Sequence, residues 1–374
     1  MVMAQRADTL LDKGCTRRQA AVWTAAGLMA ALGGFEARAA LAGREWSSLY
    51  AAWKAAFVQP SGRVVDDGQQ GITTSEGQGY GMLLAWAAGD QQGLESMWQW
   101  TRTHLAVRDD GLLAWRWSPG EGVTDRNNAT DGDLLVAWGL ALAARDRPSW
   151  REPARALAQS IRGHAVRSTN WGTVLLPATQ GFETPRGLVV NLSYWVYPAL
   201  LDLPEWDPNP VWGELIASGH QLLALARFGT WGLPPDWLLL VDPLITWPER
   251  PARYGYEGIR IPLYLAWAGM ATPQRTQPWR DFWAQFPRAG FMPAWVDLDN
   301  PCLSSVAASP GARLIRDWVE SRNPPIVADR EGLIRSGYYS ATLGMLTVAA
   351  SRWPAARWQR VVSLVRETHS PLTL

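Results

Sequence analysis

Glu76 stands alone among glycines in Thr73-Thr74-Ser75-Glu76-Gly77-Gln78-Gly79-Tyr80-Gly81-Met82, directly before an apolar run through Leu83, Leu84 and Trp86. Three glycines at alternate positions leave no side chains to block a bulky ligand, and Ser75 is a candidate N-cap for the helix that follows. The plainer alternative is a helix entrance with Glu in its first turn, favoured by the helix dipole. A nucleotide loop fits poorly. The spacing is GxGxG rather than GxGxxG, and no β-branched strand precedes it.

Two further acidic turns could share a site with Glu76. In Asn128-Ala129-Thr130-Asp131-Gly132-Asp133 the acids open a helical pattern, where Thr130 or Asp131 could simply cap. A DxD metal site lacks a third acidic ligand nearby, so no metal is expected. In Tyr254-Gly255-Tyr256-Glu257-Gly258-Ile259-Arg260-Ile261-Pro262, Glu257 and Arg260 lie three apart, which could be only a local ion pair. The flanking tyrosines and glycine favour a ligand-facing turn. Glycoside cleavage needs one protonated acid and one ionised base on opposite sides of the bond, which three acidic turns can supply. The four histidines show no metal-ligand spacing and no G-x-S-x-G elbow occurs, so no cofactor or hydrolytic serine is expected.

The elements that must position these turns read as helices. Trp46, Leu49, Tyr50, Trp53 and Phe57 share a helical face, as do Leu94, Met97, Trp98, Thr101 and Leu105. Leu134, Leu135, Trp138, Ala141 and Leu142 do so after Asp131. Further periodic segments cover 153–161, 192–203, 212–228, 257–270, 279–286, 312–319, 338–350 and 353–365, while 111–117 is the best strand candidate. About a dozen helices without a dividing linker imply one domain at 40–374. A bundle, a solenoid and a closed ring of helical hairpins all remain compatible with the pattern.

Composition narrows the partner. The 374 residues carry a formal net charge of +1, which gives no long-range field for nucleic acid or an anionic membrane. A neutral polymer suits that balance. The 24 tryptophans offer flat apolar faces that suit sugar stacking as well as core filling, and about a third are expected in a groove. At the N-terminus, Thr16-Arg17-Arg18-Gln19 precedes a weakly apolar run to Phe35, and Ala37-Arg38-Ala39 offers a small-x-small cleavage site. Residues 1–39 thus read as an export signal, with the paired arginines hinting at the twin-arginine route, and the mature chain as periplasmic or secreted without a membrane span. Cys15 would be removed with the leader, leaving Cys302 alone.

Six motifs in order carry a resemblance: T-S-E-G-Q-G-Y-G-M at 74–82, A-T-D-G-D-L-L at 129–135, L-L-P-A-T-Q-G-F at 175–182, N-L-S-Y at 191–194, L-P-P-D-W at 233–237 and G-Y-E-G-I-R-I-P-L-Y at 255–264. Together they resemble glycoside hydrolase family 8, and within it the endo-β-1,4-glucanases encoded beside bacterial cellulose synthases. The resemblance implies an all-α (α/α)6 barrel of paired inner and outer helices, with a small β-hairpin near the groove and an inverting mechanism. It makes Glu76 the general acid, Glu257 the base and Asp131 the group that holds the sugar at the cleavage subsite. Tyr194 would order the attacking water, Arg260 would hold the base, and Trp115, Tyr256, Gln78, Tyr338 and Tyr339 would contact the glucan. The implied partners are a β-1,4-glucan chain and a cellulose synthase complex. Rival expectations are a non-catalytic glucan-binding protein on the same fold, or a xylan or mixed-linkage glucan hydrolase.

One departure stands out. The family usually has Asp-Ala where this chain has Glu257-Gly258. The longer arm extends the carboxylate by roughly 1.5 Å. Gly258, lacking a side chain, would let the turn shift to accommodate it.

Overall fold

The computed structural model describes residues 43–300 and 302–353. The expected leader, Cys15 and the helical pattern beyond residue 353 lie outside the described residues. Twelve helices occur among the described residues: α1 (Arg44–Phe57), α2 (Ser75–Ala88), α3 (Gln91–His104), α4 (Thr130–Ala143), α5 (Arg151–His164), α6 (Tyr197–Asp202), α7 (Val211–Leu225), α8 (Arg260–Trp267), α9 (Pro273–Trp283), α10 (Pro310–Ser321), α11 (Arg330–Arg335) and α12 (Tyr338–Arg352). The even-numbered helices close a ring, α2 on α4, α4 on α6, α6 on α8, α8 on α10, α10 on α12 and α12 back on α2. Among the odd-numbered helices, α1 and α3 pack outside α2, α5 outside α4 and α7 outside α6. This is the (α/α)6 barrel, with a burial pattern to match. Every residue of α4, α6 and α8 is buried, as a helix enclosed on all sides requires. The outer α5 buries only Ala154, Leu157, Ala158 and Ile161, one stripe at helical spacing.

Helix α2 packs on α4 at very short range, and its glycines allow it. A Cβ on Gly79 would meet the Leu135 Cβ at 2.5 Å, and one on Gly81 would meet Val64 and Met97 within 3 Å. Gly77 likewise faces the Tyr338 hydroxyl. The alternate glycines therefore serve helix packing rather than leaving room for a ligand, contrary to the expectation. Tryptophan mostly fills the core, with Trp46, Trp53, Trp138, Trp195, Trp212, Trp267, Trp279 and Trp283 nearly inaccessible.

Several boundaries differ from the sequence reading. Thr74, not Ser75, caps α2 by accepting from the Gly77 N–H at 2.9 Å. Helix α4 has no side-chain cap at Ala129, so neither Thr130 nor Asp131 plays that part. The segment 192–203 breaks into a 3-10 turn at Leu192–Tyr194 and the short α6, and 257–270 begins as a turn before α8. The strand expected over 111–117 forms only at its end, as β2 (Arg116–Ser118). It pairs with β1 (Thr73–Thr74) and with β3 (Gly122–Asp125), which sets a small hairpin against the entrance to α2.

Four strands that periodicity did not reveal build a wall beside the ring: β6 (Glu183–Thr184), β7 (Gly187–Val190), β8 (Leu238–Leu240) and β9 (Ile245–Thr246), antiparallel in that order. A separate hairpin joins β4 (Val166–Thr169) to β5 (Gly172–Leu175), and β10 (Arg253–Tyr254) pairs with β11 (Val296–Asp297). These strands are two to four residues long, too short to show alternation. No helix among the described residues is long and apolar enough to cross a membrane.

Candidate active site

Three carboxylates and one guanidinium meet where α2, α4 and α8 begin. Glu76 lies in the first turn of α2, Asp131 in the first turn of α4, and Glu257 in the turn that leads into α8. Arg260 is the first residue of α8, so a carboxylate three residues earlier shares its face. The Arg260 Nη1 contacts Glu76 Oε1 and lies 3.0 Å from Asp131 Oδ2, while Nη2 contacts Glu257 Oε2 and lies 3.0 Å from Ser193 Oγ. The expected Glu257–Arg260 pair is thus present, but it is one arm of a four-residue cluster. A guanidinium fork can address several oxygens at fixed angles, which an ammonium cannot.

The acids differ in access. Side-chain exposure is 23% for Glu76 and 29% for Glu257, against 3% for Asp131 and Arg260. Glu76 and Glu257 therefore face the open end of the barrel across Arg260. Asp131 lies beneath them, its Oδ2 held by Arg260 and its Oδ1 accepting from the Gly132 N–H at 2.8 Å.

Burial and mutual repulsion set the protonation. Desolvation raises Asp131 well above the usual carboxylate range, and the Glu257 charge pushes it further. Glu257 rises to about 7, chiefly by desolvation and then by the Asp236 charge, against hydrogen bonds from Asn191 and Ser193. Three carboxylates around one guanidinium carry more negative charge than it offsets, so ionising one makes ionising its neighbours harder.

The remaining expected residues separate into two groups. Tyr194 lies under the Arg260 guanidinium, with 5.7 Å from Cζ to the ring centroid, and belongs to the site. Tyr339 donates to the Tyr256 carbonyl, and the two rings meet edge to face at 6.2 Å. Tyr256 is 53% exposed. The Trp115 carbonyl accepts from the Ser75 N–H at 3.0 Å, so its half-buried ring stands beside the start of α2.

Gln78 and Tyr338 do not face the groove. Gln78 is fully buried; its Oε1 accepts from the Val64 N–H at 2.6 Å, and its Nε2 donates to Gly62 O, Met97 O and Thr101 Oγ1. It lies two residues from Glu76, so the helix turns it to another face. Tyr338 is 4% exposed, its ring edge to face with Phe57 at 5.7 Å.

Sequence reasoning missed four site residues. The Tyr80 hydroxyl donates to Glu76 Oε1 at 3.2 Å and lies 2.7 Å from the Tyr264 hydroxyl. Both follow from helical spacing, since Tyr80 is four after Glu76 and Tyr264 four after Arg260. Asn191 Nδ2 donates to Glu257 Oε2 at 3.0 Å and Ser193 Oγ reaches the same oxygen at 3.3 Å. Their signal was the N-L-S-Y motif itself, where only Tyr194 had been assigned.

The profile described as glycosyl hydrolases family 8 matches residues 18–352. A probable endoglucanase of Novacetimonas hansenii is 37% identical over 310 residues, 80% of this chain and 89% of the relative. An endoglucanase of Cellulomonas uda is 31% identical over 284 residues, 73% of this chain and 78% of the relative. Among solved structures, the endo-β-1,4-glucanase CMCax from Acetobacter xylinum superposes with a TM-score of 0.76 at 37% identity, covering 81% of this chain and 97% of that one. The carboxylate cluster at the mouth of an (α/α)6 ring, together with these likenesses, places the chain in glycosyl hydrolases family 8, a family of inverting enzymes.

Proposed function

We propose that this chain is an inverting endo-β-1,4-glucanase in which Glu76 is the general acid and Glu257 the general base. The observation that carries the assignment is the pair of accessible carboxylates facing each other across Arg260, with Asp131 buried beneath. In an inverting reaction the acid protonates the leaving glycosidic oxygen. The base, on the opposite face of the sugar, takes a proton from the attacking water. A pKa of about 7 suits Glu257, since a base works best near ambient pH.

Inverting pairs keep room for a water between their carboxyl groups. Glu257 therefore leaves Nη2 when the glucan seats, and its 29% exposed side chain has space to do so. Asp131 keeps Arg260 in place and closes the floor of the cleavage subsite. Tyr194 and Arg260 flank the water, and Trp115, Tyr256 and Tyr339 line the groove. Purified protein should release reducing sugar from carboxymethylcellulose, and E76Q and E257Q should each abolish it. Release by either variant at the parent rate would refute the assignment.

The physiological reading is that the enzyme trims β-1,4-glucan as it is synthesised and exported, near a cellulose synthase complex. An N-terminal pattern of paired arginines, apolar run and small-x-small site supports export, and a net charge of +1 suits a neutral polymer. Cell fractionation with a twin-arginine double substitution tests it. Retention of the R17K/R18K protein in the cytoplasm is expected, and unchanged export would exclude that route.

A further inference from the structure

The L-P-P-D-W motif contributes a residue to which neither the cleavage chemistry nor the resemblance gave a part. We propose that Asp236 is a positioning residue for Glu257: its carboxylate ties down the backbone turn that presents the base. This rests on the assignment of Glu257 above.

Three observations converge on the turn. The Asp236 Oδ1 accepts from both the Gly255 N–H at 2.9 Å and the Gly258 N–H at 2.8 Å, so one oxygen spans the residues on either side of Tyr256 and Glu257. The Asp236 N–H in turn donates to the Arg253 carbonyl at 2.6 Å, fixing Asp236 to the strand that leads into the turn. The register of the wall then sets the opposite side. Val190 pairs with Leu238 at the end of β7 and β8, which brings Asn191 and the 236–237 corner to the same edge. Asn191 holds the Glu257 carboxylate from one strand while Asp236 holds its backbone from the next.

The neighbourhood leaves the turn no other seat. A Cβ on Gly258 would lie 2.5 Å from the Tyr254 ring and 3.3 Å from Asp236 Oδ1, so ring and carboxylate together fill the space under the turn. Tyr254 is 3% exposed and its ring is edge to face with Phe282 at 5.9 Å. The expected freedom of Gly258 is thus used to bring Tyr254 and Asp236 close beneath the turn.

The electrostatics run the same way. Burial raises Asp236 to about 6, against the backbone N–H groups that favour its ionised form. Other charged or titratable groups around Asp236 are Arg253, Tyr254 and Tyr339. Those around Glu257 are Arg260, Asp131, Tyr194, Tyr264 and Tyr339, with Glu76 across Arg260. Asp236 is the carboxylate that pushes Glu257 upward.

The test pairs two variants with azide, a nucleophile that needs no base. Azide attacks the anomeric carbon opposite the leaving oxygen, the C–N bond forming as the C–O bond breaks, while Glu76 gives its proton to that oxygen. D236A removes the tether and should lower kcat on cellohexaose about 100-fold with little change in KM, the scale of losing general-base help. Azide should restore turnover to D236A and E257A alike, yielding the α-glycosyl azide. D236N keeps an oxygen at the Oδ1 position but no charge, so the low-pH limb of kcat/KM should move to lower pH as Glu257 loses its upward push. Parental kcat in D236A, or rescue of E257A but not D236A, would overturn the proposal. Should D236A fail to fold, D236N decides alone, and an unmoved limb overturns the proposal. A fully active E257A would instead sink the base assignment on which this rests.

Discussion

Shortening the base by one methylene is the most informative single perturbation, because the family pattern has Asp where this chain has Glu257. In E257D the carboxylate retreats by roughly 1.5 Å. Glu257 Oε2 is held by Asn191 at 3.0 Å and Ser193 at 3.3 Å, and Asp at this backbone position reaches neither without moving the turn. The turn cannot follow, since Asp236 holds it at Gly255 and Gly258. A misplacement of about 1 Å at a reacting group costs on the order of 100-fold, or ~2.7 kcal/mol of barrier. E257D is therefore expected to lose about that factor in kcat on carboxymethylcellulose, with KM nearly unchanged. Restoring the family dipeptide as E257D/G258A should lower activity further, because the new Cβ would press on the Tyr254 ring at 2.5 Å. A rate above the parent's in either variant would refute the reasoning. It would mean that the native site is impaired by its longer arm rather than built around it.

Q78L should leave KM for glucan unchanged while destabilising the fold, because the Val64 N–H and the Gly62 carbonyl lose their buried partner. At about 1–3 kcal/mol for each orphaned group the cost is about 2–6 kcal/mol, measured by urea denaturation; a parental midpoint with a raised KM would return Gln78 to the groove. R260K should cut kcat by at least ~100-fold, since one ammonium cannot serve Glu76, Asp131 and Glu257 together. The kcat/KM profile should rise through about pH 7 as Glu257 ionises, its folded pKa lying at that value; a limb near pH 4 would show the base unperturbed. Asp133 and Asp236 are also raised, to about 7 and about 6, so each binds protons more tightly folded than unfolded. Their contribution is greatest at low pH and is lost as pH rises from about 4 towards 7, so D133N should flatten that part of the stability profile measured by calorimetry.

Much of the site could be read before the fold was known, and the reasons are local. Glu76, Asp131 and Glu257 each sit where an apolar helical pattern begins, and a barrel gathers such starts at one end. Helical spacing also offered Tyr80 and Tyr264, four residues from Glu76 and Arg260. The wall of β6 to β9 gave no such signal, because strands of two to four residues are too short for alternation to declare itself. Asp236 and Asn191 stand at the ends of those strands, and their roles depend on register alone. The glycines around Glu76 misled for a related reason. A missing side chain marks a close approach but not its partner, and here the partner is α4 rather than a sugar.

In the proposed reaction a water held between Glu257 and the sugar attacks the face opposite the bond that Glu76 protonates. A proton NMR time course of cellohexaose hydrolysis reads that step directly, from the anomer that appears first. The α-anomer is predicted, and a first-formed β-anomer would contradict the scheme.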